Sequence, residues 1–426
     1  MFENFKQAEM FFESRKSLGI KPGLDRIKRL LDLLNNPQDK IHAIHVAGTN
    51  GKGSTVQFIK NALKSNGYHA GVFTSPSFSG LTGHISINDT IIPDDLFLAL
   101  CNEMYPAIKQ LDRENMSPTE FEIITALAFL YFSKHVDVAI IETGMGGRED
   151  TTNCFHPIMS IITNISKDHT NFLGSTLEEI AYHKAGIIKQ ASPVIIGEMD
   201  LEALAVIVKE IHNNKTNSYQ MGQDFTYKLI DYSKDSGIQH FSWNRKKDSH
   251  SLSIQMLGEH QVKNASIAYM AVLKLAEIGY AINLQKTKEA FENTIIPGRL
   301  EMVKQNPSVI LDSAHNPAGI ESLLQTVAAN FKDKPNHLIF AAFKDKDLET
   351  MLEVLSGYFT SITVTTFDHP RAASAEKLYE LTQDVNTKIC KDWKATVENM
   401  KQKDSNYFIT GSLHFIVQVR KYLNSH

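Results

Sequence analysis

The stretch His42-Ala43-Ile44-His45-Val46-Ala47-Gly48-Thr49-Asn50-Gly51-Lys52-Gly53-Ser54 joins a short apolar strand to a glycine-rich turn, and Thr55-Val56-Gln57-Phe58-Ile59 opens a helix behind it. Glycines let successive backbone N–H groups turn toward one anion, and a helix N-terminus adds its partial positive charge. Lys52 supplies a mobile cation for the outer phosphates of a nucleotide. An ordinary strand-to-helix turn would account for the glycines but not for a lysine and hydroxyls beside them. The reading is therefore nucleotide binding. Gly53 separates Lys52 from Ser54, which makes the pattern narrower than the common phosphate loop.

Further chemistry-bearing residues fall at the ends of apolar runs. Val136–Ile141 ends on Glu142, and Gly144-Met145-Gly146-Gly147-Arg148 follows. A carboxylate on a strand tip beside a phosphate loop is where Mg²⁺ is usually held, and the glycines let backbone approach a ligand. The strand 158–163 ends on Asn164-Ile165-Ser166-Lys167-Asp168-His169. His169 alone reads equally as a core-capping histidine; beside Glu142 the ligand reading is the better one. Lys184, at a helix end before Gly186, by spacing alone does no more than complement the helix dipole. Ile310-Leu311-Asp312-Ser313-Ala314-His315-Asn316-Pro317 again ends a strand on Asp and His, with a proline at a helix start. Arg299 at a Pro-Gly joint and Asn264 on a helix are each weak signals; their order along one chain carries the weight.

The elements that must position these residues alternate. Strands are expected at 42–47, 70–74, 137–142, 158–163 and 193–197. Helices are expected at 3–17, 24–35, 53–66, 94–113, 119–134, 176–185 and 200–213. That pattern is α/β, a phosphate-loop-type doubly wound and mainly parallel sheet. Residues 218–256 alternate polar with apolar, which predicts an antiparallel hairpin region packed on the edge, followed by helices near 260–278 and 284–293. Ile295-Ile296-Pro297-Gly298-Arg299 reads as a domain joint. Beyond it strands 307–312, 336–342, 361–366 and 406–410 alternate with helices 317–331, 347–356, 374–383 and 412–423. The expectation is an ATP-binding domain over 1–296 and a smaller Rossmann-like α/β domain over 297–426.

The 426 residues carry 44 basic and 48 acidic side chains, a formal charge of −4, so no polyanion is favoured as partner and no nucleic-acid arm is present. Three cysteines without metal-ligand spacing fit a reducing compartment. The N-terminus lacks an apolar signal core, and no run approaches a membrane span. The expectation is a cytoplasmic protein with no membrane contact.

Taken together the segments resemble the folylpolyglutamate synthase / dihydrofolate synthase family, within the Mur-type ATP-dependent amide ligases. The resemblance covers nearly the whole chain. It runs through GTNGKGST at 48–55, TSP at 74–76, the 119–122 segment, ETGMGGREDTTN at 142–153 and Asp168-His169. It continues through HKAGII at 183–188, GEHQVKNASIA at 258–268, PGRLE at 297–301, LDSAHNP at 311–317 and HPRAA at 369–373. By that similarity Asn50, Gly51, Lys52, Gly53, Ser54 and Thr55 hold the ATP phosphates. Ser75, Glu142 and His169 are magnesium ligands. Lys184 matches the family lysine carboxylated by CO₂, which helps hold a second Mg²⁺. Asn264, Arg299 and Asp312 contact ATP across the cleft with His315 close by, and Thr119, Glu120, Phe121, Glu122 and Arg148 belong to the pterin site. Lys52, Lys184 and His169 would carry the catalysis.

The implied reaction joins L-glutamate to a folate or dihydropteroate carboxylate through an acyl phosphate, with ATP and two Mg²⁺ ions, in a monomer. Three departures bear on the acceptor rather than on the reaction class. Gly83 and His84 stand where the family shows a Glu-Arg pair, His183 stands where an acidic residue is usual, and Ser313 replaces a glycine. The altered 77–84 loop keeps open a related amide ligase with a different carboxylate acceptor; a non-catalytic ATP-binding paralogue is the other alternative, and intact Lys52, Glu142, His169 and Lys184 argue against it.

Overall fold

A computed structural model describes residues 1–77, 79–233, 237–382, 385–400 and 404–425. Phe78 of the 77–84 loop, residues 234–236 of the hairpin region and residue 383 at the end of the helix expected over 374–383 lie outside them.

The strands in chain order are β1 (Ala43–Ala47), β2 (Ala70–Phe73), β3 (Ile85–Ile87), β4 (Thr90–Ile91), β5 (Val138–Glu142), β6 (Met159–Ile162), β7 (Val194–Ile196) and β8 (Ser218–Gln220). These eight form one sheet in the order β4-β3-β2-β5-β1-β6-β7-β8. At one edge β4 pairs antiparallel with β3 and β3 antiparallel with β2, and every other neighbour is parallel. All five residues of β1 are buried, as are all five of β5. A parallel strand covered on both faces must be apolar throughout, which is why these segments read as continuous apolar runs. Alternation still divides the faces. Ile44, Val46, Val138 and Ile140 pack toward helices Lys52–Ser65 and Glu259–Glu277, whereas Ala43, Ala139 and Ile141 pack toward Asp94–Arg113 and Glu120–His135.

The chain leaves β1 toward β2 on one side, and β5 later fills the gap between them. β6 then returns to the opposite side of β1. The order therefore reverses around β1, and the crevice outside the carboxyl ends of β5, β1 and β6 is where a ligand is received.

The region expected as one edge hairpin divides. β8 extends the parallel sheet, while β9 (Thr226–Ser233), β10 (Ile238–Arg245) and β11 (Asp248–Ile254) form their own antiparallel sheet. Phe241, Trp243, Leu252 and Ile254 on its inner face are buried against helix Glu259–Glu277, and Trp243 Nε1 donates to the Ser266 carbonyl at 3.2 Å. An alternating strand has an apolar face that needs its own cover, and this helix supplies it.

After the joint, β12 (Glu301–Gln305), β13 (Ser308–Leu311), β14 (Asn336–Phe340), β15 (Ser361–Val364), β16 (Thr387–Ile389) and β17 (Asn406–Thr410) form a six-stranded sheet, β12-β13-β17-β14-β15-β16. It is parallel except for β12. β3, β4, β12 and β16 were not expected from periodicity; segments of two to five residues, mostly half-exposed, do not carry a readable pattern. The fold is α/β, a large mainly parallel sheet followed by a smaller mixed one.

Candidate active site

Gly51 sits at φ +82° and caps helix Lys52–Ser65, a backbone region closed to residues with a Cβ without strain. An added methyl there would run into the Asn264 amide, so the phosphate loop and the Asn264 side chain are packed backbone to side chain. The loop is pinned from β6's side. Asn50 N–H donates to Asn164 Oδ1 at 3.0 Å, Thr163 Oγ1 donates to the Asn50 carbonyl at 2.6 Å, and Thr49 and Ser166 exchange hydroxyl and backbone bonds at 2.9 and 3.0 Å. Thr55 is fully buried behind the turn, its Oγ1 without a hydrogen-bond partner, and Gly53 lies beside the Glu142 carboxylate.

Two lysines converge on one carbonyl. Lys52 Nζ donates to the Gly48 and Thr49 carbonyls at 3.0 and 3.3 Å, and Lys184 Nζ donates to the same Gly48 carbonyl at 2.8 Å. Lys184 is only 4% exposed. Burial first, and the neighbouring Lys52 charge second, pull its pKa down to about 7. A helix-terminal lysine whose only role was to complement a dipole would remain in water. This one is drawn inward, where the neutral amine is favoured.

Glu142, 6% exposed at the tip of β5, is pushed the other way. Burial raises its pKa to about 7 against the pull of Lys52, Arg299 and the Ser75 amide. A buried carboxylate held near neutrality is stabilised when a cation arrives. Ser75 is at hand through that amide, and Lys52 acts electrostatically on both Glu142 and His169. His169 has φ +51° and a side chain 40% exposed; partial desolvation first, with the Lys346 and Lys52 charges, lowers its pKa to about 4 against the pull of Asp168, so its imidazole is neutral and able to ligate. Glu142 and His169, with the Ser75 hydroxyl, are oxygen and imidazole donors of the kinds a divalent ion takes, although among the described residues no three His, Cys, Asp or Glu side chains form a metal-holding group.

A cleft of about 230 Å³ is lined by Asn50, Gly51, Ser54, Asn264, Arg299, Asp312 and His315 among others. Asn50 and Gln325, 275 positions apart in sequence, thus share one cavity between the large sheet and the six-stranded one. Asp312 fastens its far wall: Oδ2 accepts from Leu300 N–H at 3.0 Å and Oδ1 from Ala314 N–H at 2.9 Å. Asn264 Nδ2 donates to Gln261 Oε1 at 3.1 Å.

The 119–122 segment behaves differently. Thr119 and Glu122 form a capping box at the start of helix Glu120–His135, and Arg26 approaches Glu122 at 3.1 Å. Those two side chains are committed to the helix end. Phe121 packs 5.8 Å from Phe73 and against Gly144, which places it next to the glycine turn after Glu142. Glu120 is half-buried, which raises its pKa. Arg148 is engaged elsewhere: its guanidinium meets Glu210 at 3.0 Å and stacks on Tyr182 at 4.1 Å. In the 77–84 loop, His84 Nδ1 bonds the Thr74 carbonyl at 2.8 Å, so the histidine holds the loop to the end of β2.

Three participants were not singled out in the sequence as site residues. Asp168 meets Lys346 at 2.6 Å, Asn316 at 3.1 Å and His315 at 3.4 Å. Burial alone would raise its pKa, yet His315 and Lys346 hold the carboxyl well below the usual range. Asp150, fully buried, accepts from Met145 N–H at 2.7 Å and from Thr152 N–H and Oγ1 at 3.0 and 2.6 Å, and so shapes the glycine turn. The signal for Lys346 was the polar Lys344-Asp345-Lys346-Asp347 run that ends the apolar stretch of β14 and Ala341-Ala342-Phe343, similar to the strand-end logic that marked Glu142.

The Mur ligase middle domain model matches residues 46–272, and the Mur ligase glutamate ligase domain model matches 298–413. The chain is 39% identical to a dihydrofolate synthase/folylpolyglutamate synthase of Bacillus subtilis, over 99% of this chain and 100% of that one. It is 31% identical to a folylpolyglutamate synthase of Lacticaseibacillus casei, over 99% of each. Mycobacterium tuberculosis folylpolyglutamate synthase complexed with ADP and AMPPCP superposes with a TM-score of 0.89 at 28% identity, covering 98% of both chains. Escherichia coli FolC in complex with DHPP and ADP superposes at 0.88 and 26% identity, covering 99% of this chain and 98% of that one.

Proposed function

Because the chain belongs to the Mur ligase family, among its folylpolyglutamate and dihydrofolate synthases, we propose the division of labour below for its cleft residues. The protein is an ATP-dependent amide ligase that joins L-glutamate to a folate or dihydropteroate carboxylate. One observation supports the assignment of ATP to this cleft above the others: the glycine-rich loop, Asn264, Arg299, Asp312 and His315 line a single cavity at the switch point around β1.

Asn50–Thr55 present backbone amides and the helix N-terminus to the phosphates, and Lys52 moves from the loop carbonyls to the outer phosphate. Asn264, Arg299, Asp312 and His315 hold the nucleotide from the opposite wall. The acceptor carboxylate, beside Phe121 and Glu120, attacks the γ-phosphorus. Its P–O bond to ADP breaks, leaving an acyl phosphate. The glutamate amine then adds to the acyl carbon, loses a proton and expels phosphate. Phosphoryl transfer of this kind needs positioned cations more than a covalent protein nucleophile. Ser75, Glu142 and His169 would hold one Mg²⁺, and carboxylated Lys184 would help hold a second; the metal neutralises phosphate charge. Thr119, Glu122 and Arg148 act by fixing the elements around the acceptor. We further divide the chain at 296/297, with the nucleotide-binding unit first and the ligase C-terminal unit second; the separate sheets and the two matched spans support that. We take the enzyme as a cytoplasmic monomer; among the described residues no helix is long and apolar enough to cross a membrane, and the three cysteines are free.

Both acceptor activities are proposed, supported by the dual name of the Bacillus subtilis relative. Glutamate-dependent phosphate release is expected with dihydropteroate and, separately, with a reduced folate. Release with neither, although ATP binds, would overturn the reading.

His169→Ala should raise the Mg²⁺ concentration for half-maximal rate by about 10- to 100-fold. An unaltered metal dependence would return His169 to a purely structural role. pH dependence follows from two groups near 7. Glu142 binds a cation only when ionised, above about 7, and Lys184 reacts with CO₂ only as the neutral amine, also above about 7. Both contributions are lost as pH falls. At sub-saturating Mg²⁺ the rate should therefore drop steeply from about pH 8 to about pH 6. Saturating Mg²⁺ should move the Glu142 part of the fall to lower pH by mass action. A flat profile would contradict these assignments.

A further inference from the structure

Asp168 follows β6 on the nucleotide-binding side, yet three of the side chains around it come from beyond the joint. Lys346 Nζ donates to Oδ1 at 2.6 Å, Asn316 Nδ2 donates to Oδ2 at 3.1 Å, and His315 Nε2 approaches Oδ2 at 3.4 Å. The Asp168 and Lys346 side chains are 7% and 9% exposed, so water does not screen the pair. Asn316 also caps helix Pro317–Asn330 through Gly319 N–H at 2.8 Å, and exchanges reciprocal amide bonds with Asn50 at 3.0 and 3.1 Å. The same 163–169 segment that carries Asp168 holds the phosphate loop through Thr163, Asn164 and Ser166. One short piece of chain therefore grips the nucleotide loop on one side and two loops of the six-stranded sheet on the other.

A buried carboxylate is costly unless paired, and these partners are present only when the two sheets lie together. Resting on the ligase reading above, we propose that Asp168 is a positioning residue, the anchor on which the C-terminal unit closes, and that it sets Lys346 and His315 at the rim of the phosphate loop. It is not among the residues that line the cleft. It acts through Lys346, His315 and Asn316, and closure over the cleft excludes the water that would hydrolyse an acyl phosphate.

The test uses the full-length protein and the variants Asp168→Asn, Asp168→Glu and Lys346→Met, each first checked for an intact thermal transition. For Asp168→Asn, kcat should fall about 10- to 100-fold while ADP affinity falls far less, by no more than about threefold, because the glycine-rich loop, Asn264, Arg299 and Asp312 still hold the nucleotide and only the alignment of His315 and Lys346 is lost. Hydrogen exchange should speed up in 315–320 and 343–348. Small-angle scattering should show a more open particle. Asp168→Glu should recover part of the rate, and Lys346→Met should reproduce the exchange pattern from the other side of the pair. An Asp168→Asn variant with unchanged kcat and unchanged exchange overturns the proposal, as does one whose ADP binding falls in step with kcat. If the wild-type protein shows no glutamate-dependent phosphate release, the ligase reading fails, while exchange and scattering still decide whether Asp168 holds the two units together.

Discussion

Lys52→Ala is expected to cut kcat on the order of 10³-fold or more, with the fold intact. The reason lies in what its ammonium does within the loop. It rests on the Gly48 and Thr49 carbonyls, groups that give it no compensating negative charge. An incoming phosphate offers a full anion at the same place, so the lysine gains most when charge develops on the outer phosphate during transfer. Removing it deletes stabilisation specific to the transition state. The cost to folding is small, because Lys52 is half-exposed at the first position of its helix and alanine suits that position. Single-turnover phosphate release and a thermal melt check both parts. Unchanged rates would overturn the phosphate-loop assignment.

The second large effect is at Lys184. Its burial and its position beside Lys52 on the Gly48 carbonyl favour the neutral amine, and a neutral amine can add CO₂ to become a carbamate, releasing a proton. The change would leave an anion beside the Lys52 cation, where a protonated amine would repel it, and would create an oxygen ligand. Lys184→Ala should lose about 10²- to 10³-fold in rate. Lys184→Arg should fail as well, since a guanidinium stays protonated and cannot be carboxylated. A small carboxylate such as acetate or formate should restore part of the activity to the alanine variant and none to the arginine variant. An arginine variant that works like the wild type would show that a fixed positive charge is all the site requires.

The strand-to-glycine-turn-to-helix unit around Lys52 was legible because its physics is local. Backbone amides, a helix terminus and one lysine lie within a dozen residues, and the residue types alone imply an anion. Glu142 and Asp312 were legible by the same local logic, polar residues ending apolar runs that must be strand tips. The alternation of strand and helix also follows from local periodicity. The split of 218–256 into an edge strand and a separate sheet did not, because the choice of partner depends on which apolar face needs covering. Thr119 and Glu122 illustrate a different limit. Ser/Thr followed three residues later by Glu is equally a capping box and a pair of ligand-binding side chains, and only the observed mutual bonds place them at the helix end.

Residue type and spacing along the chain determined that a glycine-rich strand-to-helix loop with a lysine, a run of strand-tip acids and two successive strand-and-helix regions are present, since each is dictated by neighbours a few positions away. Tertiary structure alone decided the protonation of Lys184 and Glu142, the diversion of Arg148 to Glu210 and Tyr182, and the meeting of Asp168 with Lys346. Burial and charge proximity are set by groups far apart in sequence. A side chain's solvation, and with it its chemistry, exists only once those groups have been brought together.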